Sequence, residues 1–284
     1  MKRRQRMKGL LAFFRRILYY YSEKQIPMAA AALCYYMTMT SFPLAICLYT
    51  LLGKNYEWVS SILSFAETFL NADSIRVLQS FMDYVAKNHS MAMFYAGATI
   101  LLTSASAGLR SIQATIGRMQ GKPRFGGLKG FLISLVLALA FLVACLFAIL
   151  VMFSGRDLIR WLNESLPFLE LGGSWLWLRY VLLGVILYLI LWGVFVVSRR
   201  EDMYYPTWPG ALVGTVGSVG MSMLFSVFLS ASTRYSLVYG SLASMILLML
   251  WLYFFCQILY VAAAFNIALL DIRSPELRGE KEKQ

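Results

Sequence analysis

Of 284 residues, 60% are hydrophobic and only 14% are charged, against about 45–50% and 25% in an ordinary soluble domain. One water-soluble core of this length cannot hide so much apolar surface, so a soluble globular fold is excluded and lipid is required as a second solvent. The formal charge of +12 and pI near 9.6 raise the question of nucleic acid. The basic residues, however, flank apolar stretches without any aromatic–basic module beside them. Anionic lipid headgroups at the cytoplasmic face are the partner they fit.

The first element is Met1–Ile26. It opens KRRQRMK and continues GLLAFFRRILYYY; Leu10, Phe14, Leu18 and Tyr21 recur at helical spacing, and Lys8, Arg15 and Arg16 add positive charge. The pattern predicts an amphipathic helix on the inner leaflet, so residues 1–28 read as a cytoplasmic interfacial segment. Arg15 and Arg16 interrupt any signal-peptide core, and no small-residue cleavage site follows.

A hydrocarbon layer about 30 Å thick takes roughly 20 apolar residues of helix. Six stretches reach that length: Ala29–Leu52, Met91–Leu109, Leu128–Phe153, Trp175–Ser198, Pro209–Ser230 and Leu237–Leu270. Continuous runs without period-2 alternation predict helices rather than barrel strands. The expectation is an all-α polytopic bundle: one transmembrane domain over 29–270, an external helical loop over 53–90 and a charged cytoplasmic tail over 271–284. The last run exceeds a simple crossing and is expected to tilt or project. In the external loop, Trp58, Ile62, Phe65 and Phe69 make one helical stripe; Leu78, Phe81 or Met82, and Val85 make another, with Asn71–Ser74 as the break. Asp157–Leu166 reads as a third short external helix.

Charge orients the spans. One side receives the N-terminus, the 110–127 connection with Lys129, the Arg199–Arg200 turn and the tail, which together hold 19 Lys/Arg and 7 Asp/Glu; the other side holds 7 of each. The positive-inside rule then places both termini in the cytoplasm. Three crossings per half would relate the halves by inversion, a common transporter plan, although the two halves share no convincing sequence similarity.

Polar groups at membrane depth are costly and often functional. Span 1 carries Tyr35, Tyr36, Thr38, Thr40 and Ser41 before Pro43, a proline that removes a backbone hydrogen bond and kinks the helix. The kink either opens a pocket or is a packing feature, with the hydroxyls bonded to their own backbone. Arg110 and Gln113 follow span 2, as interfacial anchors or a ligand clamp. Gly210, Gly214, Gly217 and Gly220 mark a helix-packing face on span 5. Arg234, Tyr235 and Tyr239 sit around a short external connection, where a guanidinium among phenols suits an anionic headgroup or a snorkelling anchor. Gln257 and Asn266 in span 6 are expected to bond neighbouring helices separately. Cys34, Cys47, Cys145 and Cys256 all lie in apolar runs without CxxC or Cys/His pairing, and so read as small hydrophobes.

The segments AAAALCYYMTMTSFPL (Ala29–Leu44), PTWPGALVGTVGSVG (Pro206–Gly220) and YSLVYGSLASMILLMLWLYFF (Tyr235–Phe255) resemble, in order, the opening helix and closing two helices of the YihY/BrkB family of bacterial inner-membrane proteins. The Tyr239–Ser241 and Trp251–Tyr253 triplets are the most specific. The resemblance implies a multi-pass protein of the bacterial plasma membrane. Relatives often read Gly-Ala-Glu-x-Asn where this chain has Ala262-Ala263-Ala264-Phe265-Asn266, so a coupling carboxylate cannot be carried over to position 264.

The family has carried a ribonuclease BN label, and the residues give it no chemistry. A metal-dependent nuclease needs clustered Asp, Glu or His ligands. The single histidine, His89, lies in the external loop, and the inner face offers only the adjacent Glu201–Asp202 pair beside scattered carboxylates. No nucleophile elbow, phosphate-binding glycine loop or His-x-x-x-His pair occurs. No enzyme, catalytic residue, metal, cofactor or nucleic-acid partner is therefore expected. Two readings stand. A transporter-like or lipid-handling protein would bind an amphipathic or anionic solute in an intramembrane cavity where Tyr35, Tyr36, Arg110 and Arg234 converge. A non-catalytic scaffold would organise protein partners, not identified by the sequence, through a packed bundle and an apolar patch on residues 57–88.

Overall fold

The computed structural model describes residues 2–52, 79–80, 83–84, 87, 90–121, 127–153, 175–199, 205–231 and 242–273. Seven long helices run through them: α1 Lys2–Glu23, α2 Ile26–Leu52, α3 Met91–Met119, α4 Gly127–Phe153, α5 Trp175–Ser198, α6 Trp208–Ala231 and α7 Leu242–Arg273. There is no strand among the described residues. The chain is an all-α membrane protein. Met91–Met119, Val181–Ser198, Trp208–Phe228 and Met245–Ile272 are each long and apolar enough to cross a bilayer, and Gly130–Ala144 is a shorter apolar stretch.

Local chemistry sets the helix ends. Ser90 caps α3, its hydroxyl accepting from the Met93 N–H at 3.1 Å. Gly121, at φ 94°, turns the chain away after the last residues of α3. Pro209 lies in the first turn of α6, where its missing N–H costs nothing. Between α1 and α2 only Lys24 and Gln25 intervene, and Gln25 takes the left-handed φ of 52° to make that corner.

Two helices extend past the limits that hydropathy sets. α3 continues beyond Leu109 to Met119 because Ile112, Ile116 and Met119 form a buried stripe on an otherwise polar segment. α7 continues to Arg273, and Asp271, assigned to the tail by its charge, is buried within it.

The packing forms a closed ring: α2 on α3, α3 on α4, α4 on α5, α5 on α6, α6 on α7, and α7 back on α2, with α3 also touching α7 and α5. Neighbours alternate in direction. Gly97 faces Ile46 and Cys47 whereas Gly108 faces Leu33 and Tyr36; similarly Gly210 meets Asn266 and Gly217 meets Ile258. α1 lies against α7 and α2. Call the end bearing α1 the near end.

The main core belongs to that near end. It joins Ile26, Ala30 and Leu33 of α2, Ile112 and Ile116 of α3, Ala138 of α4, Val194 and Phe195 of α5, Ala211 of α6, and α7 from Leu252 to Leu270. A second, small core of Cys47, Leu101 and Leu142 ties α2, α3 and α4 together toward the far end. Its counterpart in the other three helices is missing among the described residues: no residue is buried over 181–190 of α5, 219–228 of α6 or 245–251 of α7.

Candidate functional site

The near end is locked by buried polar contacts between segments distant in sequence. Asp271 Oδ2 accepts from Arg16 Nε at 2.9 Å and from the Tyr20 hydroxyl at 2.6 Å, fastening α1 to the end of α7. Burial, reinforced by the hydrogen bond to that carboxylate, pushes the Tyr20 phenol well above its ordinary pKa. The Phe13 ring meets Phe265 edge-on at 5.0 Å. Tyr21 donates to Gln257 Oε1 at 3.0 Å.

Asn266 caps α6 from the neighbouring helix. Its Oδ1 accepts from the Gly210 N–H at 2.7 Å, and its Nδ2 donates to the Thr207 carbonyl at 2.9 Å. The Gly210 N–H is one of the first amides of α6, without an intrahelical acceptor of its own. A Cβ at Gly210 would overlap the Asn266 amide and the Ala262 carbonyl, so the bond needs glycine there. Beside it, Gln120 Nε2 donates to the Tyr205 hydroxyl at 2.8 Å, and Arg199 donates to the Tyr205 carbonyl at 3.0 Å. Burial raises the Tyr205 pKa, against the opposing effects of Arg199 and Gln120.

The residues singled out in the sequence divide among several places. Tyr35 is exposed and Tyr36 partly so, with Tyr36 against Gly108 of α3. Arg110 is two residues on from Gly108, about 200° around the helix, and its guanidinium lies over the Phe131 ring of α4 at 5.0 Å. Tyr36 and Arg110 thus occupy opposite sides of α3 and do not converge. Gln113, one turn on, accepts from Ser134 Oγ at 3.1 Å. Pro43 is buried within an uninterrupted α2. The hydroxyls ahead of it bond their own backbone: Thr38 to Cys34, Thr40 to Tyr36, Ser41 to Met37.

Down the glycine series the approach loosens. Gly214 and Gly217 face Ala262, Leu191 and Ile258 side chains at 3.0–3.1 Å from a notional Cβ, and Gly220 faces nothing within 4 Å. Cys34, Cys47 and Cys256 are buried free thiols. Arg234, Tyr235, Tyr239, His89, the Glu201–Asp202 pair, the Asp157–Leu166 helix and the two stripes of the external loop lie outside the described residues; Cys145 lies within α4, with its side chain outside them. Of 53–90, Gln79, Ser80, Asp83, Tyr84 and Lys87 are helical and exposed.

The sequence reading missed Arg16–Asp271–Tyr20, Gln120–Tyr205 and the Thr207 carbonyl as partners. One signal was available: Asp271 is the first acidic residue after Leu237–Leu270 and sits five positions beyond Asn266. It also missed, among the described residues, four buried polar atoms without a hydrogen-bond partner, namely Ser106 Oγ, Gln113 Nε2, Ser198 Oγ and Tyr260 Oη. Among the described residues no three His, Cys, Asp or Glu side chains gather into a group able to hold a metal.

The large-scale geometry is a bundle closed at the near end whose two halves, α2–α4 and α5–α7, share no core toward the far end among the described residues. Compared with known proteins, residues 17–284 match the family model described as Virulence factor BrkB. A curated relative in Bacillus subtilis (strain 168), named a ribonuclease-like protein, YfkH, is 24% identical over 249 residues, covering 86% of this chain and 90% of that one. No solved structure matches.

Proposed function

The chain belongs to the virulence factor BrkB family, and from that premise we propose that it is a transporter-like or lipid-handling protein of the bacterial inner membrane. It binds an amphipathic or anionic solute between the α2–α4 and α5–α7 halves. On this reading all six helices α2–α7 cross the bilayer, and the near end, with both termini, faces the cytoplasm. The supporting orientation signal is the 19 to 7 division of Lys/Arg between the two sides.

The observation that carries the proposal is the contrast in burial along α7. Its near-end half alternates buried positions from Leu252 to Asp271, whereas Met245, Ile246, Leu248, Met249 and Leu250 are each 36–44% exposed over rather more than half of the helix circumference, and Leu247 and Trp251 on the remaining side are only partly buried. A scaffold built for rigid display would pack that length as it packs the rest. A cleft left between halves is the arrangement in which a solute is bound and one half can rock against the other. The apolar walls favour a solute with an acyl or other apolar part. The ribonuclease wording attached to YfkH does not supply a reaction for this chain, whose described cysteines and carboxylates form no group of three able to hold a metal.

The test is reconstitution of the full chain into liposomes carrying a fluorescent anionic phospholipid, with dithionite bleaching the outer leaflet. Bleaching beyond the outer-leaflet fraction, proportional to protein and absent from protein-free vesicles, is expected. Bleaching equal to that of protein-free vesicles overturns lipid movement and leaves the scaffold reading, for which crosslinking of the external segment 57–88 to partner proteins is the next measurement.

A further inference from the structure

Arg110 has a position that the solute cleft does not explain. It lies nine residues before the end of α3 at Met119 and directly after the apolar run Met91–Leu109, which at about 28 Å already matches the hydrocarbon layer, so it stands at the headgroup level. An arginine there either pairs with a carboxylate or turns to lipid headgroups. This one is exposed, and it makes no hydrogen bond or ion pair with a described residue. Its one described contact is the Phe131 ring face at 5.0 Å, which leaves the in-plane N–H groups of the guanidinium unspent.

Gln113 is one turn away on the same face of α3. Its carbonyl oxygen is occupied by Ser134, yet its Nε2 is buried and has no acceptor. Shut away from water, an unsatisfied amide donor costs several kcal/mol. Arg110 therefore presents donors with nothing to donate to, against a wall of α4, and an unsatisfied Gln113 amide is buried one turn behind it. Alongside them runs an exposed apolar stripe on α4, with Val136, Leu139 and Val143 at 56–69% exposure.

We propose that the α3–α4 groove is a binding site for the phosphate of an anionic phospholipid. The guanidinium of Arg110 takes two phosphate oxygens along its edge, a geometry that suits arginine better than lysine, and Gln113 Nε2, buried one turn away, supplies a third donor on turning outward. Phe131 holds the guanidinium plane, Ser134 holds the Gln113 amide by its oxygen, and an acyl chain runs along the α4 stripe. The groove lies on the outside of the ring and not between its halves, so this is a lipid site distinct from the solute cleft. It rests only on the bundle being membrane-embedded; an absence of lipid movement in liposomes would leave it standing.

The test is native mass spectrometry of the purified full chain, delipidated and then titrated with phosphatidylglycerol or with diacylglycerol of the same acyl chains. The first phosphatidylglycerol adduct is expected to form at least ten-fold more readily than the diacylglycerol adduct. Arg110→Gln should remove that preference, Arg110→Lys should retain part of it, and Gln113→Met should weaken it several-fold. Arg118→Gln, which removes an arginine that bonds only Thr115 among the described residues, should leave it within two-fold of wild type. Equal phosphatidylglycerol adducts on wild type and Arg110→Gln overturn the proposal, as does displacement of the lipid by millimolar glycerol 3-phosphate, which would make the occupant a free anion. If Arg110→Gln fails to fold, undiminished binding by folded Gln113→Met overturns it equally.

Discussion

The two ends of this bundle are built from similar amino acids and differ in what they do with them. At the near end, polar side chains complete helix termini: Asn266 closes the start of α6, Asp271 anchors α1, and Gln120 holds Tyr205. Between those contacts small residues let backbones approach, as at Gly210 and Ala262–Ala264. At the far end the described parts of α5, α6 and α7 have no buried face, and their described polar contacts between helices are few and long: Trp251 to Ser222 at 3.4 Å and the Cys34 thiol to the Met249 carbonyl at 3.3 Å. Lipid tails are as apolar as leucine, so a membrane helix gains little from burying an apolar face as such. Only close packing and hydrogen bonds distinguish a closed region from an open one, and both are concentrated at one end.

The sharpest way to break that contrast is Gly210→Ala. The added Cβ must displace the Asn266 amide and the Ala262 backbone carbonyl, adding overpacking to a lost hydrogen bond. The expected cost is about 3–4 kcal/mol, measured as a fall in thermal stability in detergent. Gly214→Ala and Gly217→Ala press on side chains that can yield and should cost about 1 kcal/mol. Gly220→Ala, with nothing within 4 Å, should be neutral. A flat series would show that the near end is not where the bundle is held. Next in size is Asn266→Ala, which leaves the Gly210 N–H and the Thr207 carbonyl short of a partner. The Thr207 carbonyl keeps the Ala211 N–H, so the change should cost about 1–3 kcal/mol and expose the α6 amides to hydrogen exchange before those of α3.

These contacts also mark the limit of what the sequence made legible. The helices were readable because membrane spans need length and apolarity alone, and each of the six runs contains a helix. The pairings were not, because a helix in lipid is apolar on every side and no stripe says which face meets a neighbour. Asn266 was legible as a polar group needing a partner, but nothing local to it names Gly210, 56 residues earlier. Charge placed Asp271 in the charged cytoplasmic tail, and its burial within α7 was not legible because its partners Arg16 and Tyr20 stand over 250 residues away. Arg110 and Gln113 were legible as candidates, whereas their separation from Tyr36 depended on the angular geometry of α3.

The far end gives a comparison within itself. Leu101 belongs to the small core of α2–α4 at 6% exposure, and Leu248 lies on the open stretch of α7 at 40%. Leu101→Ala should cost about 2 kcal/mol of lost packing. Leu248→Ala should stay below about 0.5 kcal/mol. Equal costs would mean that α5–α7 are packed at the far end after all. Alkali probes the near end without mutation. In the folded chain Tyr20 and Tyr205 hold their protons above the ordinary tyrosine value, whereas the unfolded chain releases them at about pH 10. The unfolded state thus binds fewer protons above pH 10, and stability contributed by each phenol falls there by about 1.4 kcal/mol per pH unit. Wild type should lose stability above pH 10 faster than Tyr20→Phe, while below pH 9 the two curves should run parallel.

The smallest effect sharpens the account of how α1 is held. Gln25 adopts φ 52° in the corner between α1 and α2, with its N–H on the Ser22 carbonyl and its own carbonyl taking the Ala29 N–H. A left-handed conformation costs a side-chain-bearing residue about 1–2 kcal/mol that glycine escapes, offset by the greater freedom glycine loses on folding. Gln25→Gly should therefore stabilise the chain by up to about 1 kcal/mol, with the gain appearing as slower hydrogen exchange in α1 and the start of α2. The corner folds α1 back onto α7, so the strain is opposed by the Arg16–Asp271–Tyr20 contacts. Combining Gln25→Gly with Asp271→Asn separates the two: if the glycine still slows exchange in α1 after the anchor is gone, the corner alone positions that helix. If it does not, α1 stays on the bundle because Asp271 holds it there.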